Sequence, residues 1–338
     1  MRMRTTAIIV ALLGCALWVA PAQAKLVYVK EAGTASPVVY VSKDSGKDPR
    51  RLGIGRAPTI SPNGGWVAFV TVPMGQSGMD TVVLQKLKAG SQRLVMRSKS
   101  IDSLRFSPDS KQLAAIAGGK RVRVYDIAKD QLHVAAVGNL RGFSFSPDST
   151  QIVYGMAAKP ELESKSDLYT VPSLGGKEKR ITENRNALYP IWGPDKIVFD
   201  RFKKRDDGQA PAYNLWTVAA TDPGPLKRLT DLTIPPLANG LVPLEQSADG
   251  KRLLAAFTGQ DVEVGFTVAM ANGKTRALSQ DFETGTVGFD LSKDGSTILA
   301  HTGGPDPGNA HDVVTVPYKR GGETKVIVED AAYPDWNR

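Results

Sequence analysis

Apolar and polar positions along this chain alternate in short runs, and the runs recur in a fixed order. Trp66-Val67-Ala68-Phe69-Val70, Gln112-Leu113-Ala114-Ala115-Ile116, Gln151-Ile152-Val153-Tyr154 and Lys196-Ile197-Val198-Phe199 each follow at once on a turn sequence. Such runs predict half-buried or fully buried β-strands, and no segment sustains the 3.6-residue apolar period of a helix. A third strand follows in each unit, as in Val122-Arg123-Val124-Tyr125, Asp167-Leu168-Tyr169-Thr170-Val171 and Asn214-Leu215-Trp216-Thr217-Val218. A fourth closes it, as in Lys179-Arg180-Ile181-Thr182, Lys227-Arg228-Leu229-Thr230 and Thr275-Arg276-Ala277-Leu278.

The turn between the first two strands reads Ser-Pro-Asp-Gly or a relative of it. It begins at 61, 107, 146, 193, 247 and 292, with spacings of 46, 39, 47, 54 and 45 residues. That is the length of one four-stranded propeller blade. Proline presets φ at the second turn position, Ser and Asp bond nearby backbone, and Gly or Asn accepts the left-handed geometry that follows. The two ends complement each other. Tyr333-Pro334-Asp335-Trp336 reads as a first strand, and Leu26-Val29, Pro37-Val41 and Arg50-Leu52 supply the other three. The sequence therefore predicts one all-β domain over residues 25–338. It is a seven-bladed β-propeller of four antiparallel strands per blade, its last blade closed by both termini, with six blades as the alternative count. Closure of this kind removes exposed strand edges.

The ends also bear on address. Arg2 and Arg4 precede an apolar run from Ala7 to Ala20 and then Pro21-Ala22-Gln23-Ala24, the three-part layout of a secretory signal peptide over residues 1–24. The expected location is periplasmic or secreted, as a soluble chain with no transmembrane span. A lipoprotein anchored through Cys15, the one cysteine, is the alternative. Without residues 1–24 the chain has no cysteine, hence no disulfide and no thiol nucleophile. The formal charge of +9 falls to +7 once Arg2 and Arg4 are removed. In an exported protein this basic surface points to a protein or an anionic envelope polymer as partner, not to nucleic acid.

Candidate chemistry sits in two places. Two residues before each turn stand Thr59, Arg105, Ser144, Ile191, Glu245, Asp290 and Asp335, and strand alternation turns this set away from the aromatic side chains beside it and toward a central channel. Arg105, Glu245, Asp290 and Asp335 are the channel candidates; three carboxylates there could take a Ca2+ ion or act as acid and base. The second place is the loops between second and third strands, Val72 to Asp80, Ala158 to Ser166, Arg201 to Tyr213 and Gly303 to Asp312. Among them Arg201, Lys203, Lys204 and Arg205, followed by Asp206 and Asp207, could grip an acidic partner. The histidines, His133, His301 and His311, show no metal-ligand spacing, and His311 reads as part of a surface loop. No nucleophile elbow with a following hydrolase domain is present. The sequence calls for no cofactor.

The Ser-Pro-Asp-Gly turn with its Lys/Arg-Leu-Thr fourth strand resembles the repeat of TolB-type, WD-repeat-like bacterial β-propellers, over essentially all of residues 25–338. The resemblance implies a periplasmic docking role. TolB itself carries an α/β domain before a six-bladed ring, and nothing helical precedes the first blade here. The expected function is a non-enzymatic binding scaffold that recognises a protein or envelope polymer through one rim and the channel mouth. The alternative is a carbohydrate-active lyase or hydrolase using the channel carboxylates.

Overall fold

Each Ser-Pro-Asp-Gly-like turn is held by its own side chains. Ser107 Oγ donates to Asp109 Oδ1 at 2.6 Å and accepts the Gln112 N–H at 3.0 Å. The same pair of bonds recurs at Ser61, Ser146, Ser247 and Ser292. The Asp or Asn then accepts the N–H two residues on, at Gly65, Lys111, Thr150, Lys251 and Ser296. These donors favour the charged carboxylate. The bonds from Ser146 and Thr150 hold Asp148 low, and those from Ser292 and Ser296 pull Asp294 down to about 2. The fourth position is left-handed throughout, at Gly64, Ser110, Ser149, Gly250 and Gly295. Serine has no intrinsic liking for φ of 63° or 65°. Its hydroxyl compensates by accepting an N–H from the preceding sheet, Asn63 to Ser110 at 3.0 Å and Asp109 to Ser149 at 3.1 Å.

The computed structural model describes residues 24–71, 78–161, 164–205, 211–221, 224–260, 262–282 and 285–337. Residues 1–23, which hold Cys15 and the expected signal segment, lie outside the described residues, as do 72–77, 162–163 and 206–210 of three expected loops. What is described is all-β. Five sheets have four strands each and a sixth has eight. Arg56–Ile60, Trp66–Thr71, Asp80–Lys86 and Gln92–Ser98 form one antiparallel meander from the inside outward, and Ile101–Phe106 to Gln131–Val137 forms the next. The eight-stranded sheet is two such meanders, starting at Ala187–Trp192 and Ala238–Gln246, joined by a parallel bridge between Tyr213 and Gly240.

The sheet at the seam orders Ala332–Trp336, Lys25–Lys30, Val38–Lys43 and Arg50–Ile54, so the two ends of the described chain share one sheet. Leu26 pairs with Trp336 and Val27 with Asp335. The Lys25 N–H donates to Asn337 Oδ1 at 2.7 Å, and its ammonium to the Gly64 carbonyl of the neighbouring turn, also at 2.7 Å. The first strands of successive sheets touch in sequence, Val287–Leu291 touches Ala332–Trp336, and Ala332–Trp336 touches Arg56–Ile60. The inner strands thus close a ring around a channel. Between sheets, second and third strands interleave their apolar faces, as where Ala68, Val70, Val82 and Leu84 meet Phe106, Leu113 and Ala115. Fully buried strands of this kind read as continuous apolar runs, which is how they appear in the sequence.

Two local devices recur. Every inner strand carries a register shift, and in most of them a residue is left-handed: Ala57, Ser103, Gly142, Tyr189, Gly240 and Tyr333. A bulge there bends the strand, with increased twist. The fourth-strand threonine explains its own recurrence. Thr182 Oγ1 accepts the Leu168 N–H at 3.0 Å and donates to Asp167 Oδ1 at 2.9 Å, and Arg180 bonds Asp167 at 2.7 Å and the Thr182 carbonyl at 2.9 Å. Thr230, Asn214 and Arg228 repeat the pattern one sheet on. A two-residue ladder is thereby extended by side chains.

Candidate functional site

The inner strands converge on one mouth. Thr59, Arg105, Ser144, Ile191, Glu245, Asp290 and Asp335 all line a single cavity of about 450 Å3 at the turn-bearing rim. Phe106, Phe145, Trp192 and Trp336 show edges to it, and Pro62, Pro108, Pro147, Pro194 and Lys293 frame the opening. The turns fix these positions: five of the seven lining residues lie two places before a self-bonded serine, and Ile191 and Asp335 lie two before Gly193 and Asn337.

The carboxylates differ in what they touch. Asp335 Oδ2 accepts the Thr59 hydroxyl at 2.6 Å and the Ile60 N–H at 2.9 Å, while Oδ1 accepts the Trp336 N–H at 2.9 Å. Asp290 Oδ1 accepts the Leu291 N–H at 2.7 Å, and its side chain is hydrogen-bonded to Asp335. Enclosure by the channel walls, then the charges of Asp335 and Glu245, push Asp290 well above the usual carboxylate range. Enclosure raises Asp335 as well, against the bonds from Thr59 and Ile60, as for neighbouring carboxyl groups that disfavour each other's ionisation. Enclosure also raises Glu245, against the opposing pull of Arg105. The Arg105–Glu245 contact is 3.5 Å, with the other guanidinium nitrogen 3.4 Å from the Leu244 carbonyl. Both side chains stay more than a third exposed to channel water, at 36% and 37%, so the pair is solvent-screened.

The hydrogen-bonded Asp290–Asp335 pair is closer than the ~5–5.5 Å that separates the carboxyl groups of a retaining glycosidase. Asp335 has both oxygens engaged by protein donors and Asp290 Oδ1 accepts the Leu291 N–H, whereas Ca2+ takes six to eight oxygen ligands. Among the described residues no group of three or more His, Cys, Asp or Glu side chains is placed to hold a metal ion.

The basic segment is not a loop tip. Arg201 and Lys203 belong to the strand Lys196–Lys203, whose far end lies away from the turn rim. The Arg201 guanidinium stacks 4.2 Å from the Trp216 ring centre, and its Nε donates to Asn186 Oδ1 at 2.9 Å. Arg205 donates to the carbonyls of Ile234, Pro235 and Ala238 at 3.4, 3.1 and 2.8 Å, which ties down the connection to the next sheet. Lys203 and Lys204 are exposed. Asp206 and Asp207 lie outside the described residues.

The reading of His311 as surface is corrected. Residues 306–310 are exposed, but His301 and His311 are both buried, and their rings stack at 4.5 Å, 8° from parallel. The two His311 nitrogens lie 2.7 Å from the Thr302 carbonyl and 2.9 Å from the Asp306 carbonyl. The His301 nitrogens have no partner, and burial followed by His311 lowers its pKa to about 3. Asp200 escaped the sequence reading altogether. It is fully buried with neither oxygen bonded, and burial raises it well above the ordinary range. Its position in an apolar run was the available signal.

No family model matches the sequence, and no curated protein matches it. Solved structures do. TolB from Acinetobacter baumannii aligns over 94% of this chain and 67% of its own, with a TM-score of 0.56 and 14% identity. The β-propeller domain of the Trilobed protease from Pyrococcus furiosus aligns over 91% and 95%, with a TM-score of 0.65 and 14% identity. An oligogalacturonate lyase solved in complex with manganese aligns over 91% and 86%, with a TM-score of 0.62 and 15% identity. Binding, proteolytic and lyase proteins thus share this architecture, and a likeness at such identity is one of fold. The chain has the fold of a TolB-type β-propeller.

Proposed function

We propose that the protein is an exported, non-enzymatic binding scaffold, a ring of seven blades that receives a protein or envelope polymer at its turn-bearing rim and channel mouth. The observation that carries the reading is the state of the carboxylates. Asp335 is occupied by Thr59, Ile60 and Trp336, and Glu245 faces Arg105, so neither stands free as a base. What the mouth offers instead is aromatic edge, fixed turn backbone and a water-filled polar floor, the ingredients of a recognition surface on a rigid frame. The likeness to TolB supports a docking role, and the layout of residues 1–24 supports export.

The test is affinity capture from the organism's own envelope with residues 25–338 and with Arg105→Ala and Trp192→Ala variants. A specific partner is expected with the parent chain and a loss of it with both variants. Turnover of a glycan panel with no specific partner recovered would replace the scaffold by an enzyme. One observation favours that second reading, a lyase or hydrolase: Asp290 and Asp335 adjoin, and enclosure raises both carboxyls toward the range of a general acid. Asp290→Asn should then abolish turnover. The blade count has its own test. Deleting residues 333–338 strips the innermost strand from the seam sheet, so the truncated chain should melt well below the parent. Identical melting would return the count to six.

A further inference from the structure

The strand Lys196–Lys203 and its neighbour Ala212–Ala219 depart from the pattern of the preceding sheet at one cross-strand pair. In that sheet Asp167 lies opposite Met156. In this one Asn214 lies opposite Arg201. The backbone role is conserved. Asn214 Oδ1 accepts the Thr230 hydroxyl and the Leu232 N–H at 2.9 Å each, as Asp167 accepts the Thr182 hydroxyl at 2.9 Å and the Arg185 N–H at 3.1 Å. The charge is not conserved: one negative group is gone and one positive group has been added. Arg180 has its counter-ion in Asp167, whereas among the described residues Arg201 pairs with no carboxylate, and burial lowers its pKa.

Arg201, Lys203 and Arg228, the last paired with Asp231, line a cleft of about 640 Å3 with Trp216, Asn186 and Asn214. That volume is in the ~300–1,000 Å3 range of small-molecule sites. Arg201 is preorganised, its plane fixed on Trp216 and its Nε on Asn186, so its terminal N–H groups present a rigid fork suited to a carboxylate or phosphate. Each side-chain amide has one N–H bonded to a backbone carbonyl, Asn186 to Phe202 and Asn214 to Leu232, which leaves one amide N–H of each for a ring hydroxyl, beside the indole that suits the apolar face of a sugar. We propose that this cleft is a second binding site, separate from the channel mouth, for an anionic sugar of an envelope glycan, carrying carboxylate or phosphate.

Calorimetric titration of the full chain distinguishes the sources. The probes are a short oligo-mannuronate, a mannose phosphate, neutral mannose oligomer, inorganic phosphate and tetraglutamate. Binding of the uronate or of the sugar phosphate is expected, weakening with salt, and none of the neutral oligomer. Arg201→Ala should weaken it by roughly tenfold or more, the scale of one charge-assisted contact. Asn214→Asp is the sharper variant, because it places opposite Arg201 the carboxylate that the neighbouring sheet carries, at the loss of the bond from Asn214 Nδ2 to the Leu232 carbonyl. The variant should stay folded, by circular dichroism, and weaken binding by a similar factor. Equal affinity for inorganic phosphate or tetraglutamate, no binding by either anionic sugar, or full binding by Asn214→Asp would each overturn the proposal. The same Asn214→Asp variant should still capture a channel-mouth partner, so the two sites fail independently.

Discussion

The Asp335 carboxylate, on the last strand of the chain, accepts the Thr59 hydroxyl at 2.6 Å and caps the N–H beside it, on the first strand of the adjoining sheet. Two residues expected to share only a channel wall are thus a clasp between sheets. Asp335→Ala leaves the Ile60 N–H without its partner, and loss of a charge-assisted bond in a partly enclosed site costs about 2–4 kcal/mol. Urea unfolding should show that loss. A change below about 0.5 kcal/mol would mean that channel water substitutes for the carboxylate.

Asp200 gives stability a slope with pH. Its carboxyl is protonated in the folded chain at pH values where the unfolded carboxyl, near pH 4, is ionised. The folded state then binds the extra proton, so stability falls as pH rises through this window, by up to about 1.4 kcal/mol per pH unit. Asp200→Asn removes that component and should stabilise the protein at pH 7–8. An unchanged or lower urea midpoint at pH 8 would show that the carboxyl is ionised and partnered after all.

His301 acts in the opposite sense. Its folded pKa of about 3 lies below the ordinary value of 6.5, so the unfolded chain binds the extra proton between them. The contribution of His301 is full above about pH 6.5 and is lost as pH falls toward 3. Between about pH 4 and 6.5 the contributions of the two groups have opposite slopes. His301→Leu should tilt the profile toward greater stability in acid, and Asp200→Asn should tilt it the other way. Parallel profiles for the three proteins would sink both assignments.

Ser110 separates backbone strain from the contact it makes. Ser110→Ala keeps a Cβ at φ 63° and loses the bond from Asn63. Ser110→Gly loses the bond but not the ease of that conformation. The alanine variant should therefore be the less stable of the two by roughly 1 kcal/mol, the cost of left-handed backbone for a non-glycine residue. Guanidinium unfolding of both measures it, and equal midpoints would mean that the hydroxyl contact alone matters.

The repeat was legible because its turn has local chemistry: serine, aspartate and glycine are required at fixed offsets by bonds that never leave the turn. The seam was legible because Tyr333–Trp336 lacks its strand partners and Leu26–Leu52 lacks a first strand. The lining of the mouth followed from alternation counted back from each turn. What stayed hidden depends on contacts between distant segments. The bulges at Ala57, Ser103, Tyr189 and Tyr333 have no glycine to announce them. The stacking of His301 on His311 follows from how residues 303–312 fold back, and the fixing of Arg201 on Trp216 needs two strands in register. Asp200 looked like any polar residue at the end of an apolar run.

The bond from the Lys25 N–H to Asn337 spans 312 positions of chain. Contacts of such sequence separation are the slowest to form, because the entropy of closing the loop is lost before the contact rewards it. The first and last strands complete one sheet together, so a growing chain holds Leu26 and Val27 without their inner neighbour until Trp336 has been made. Folding of the seam thus waits until residue 336 has been made, and the ring stays open and threadable until then.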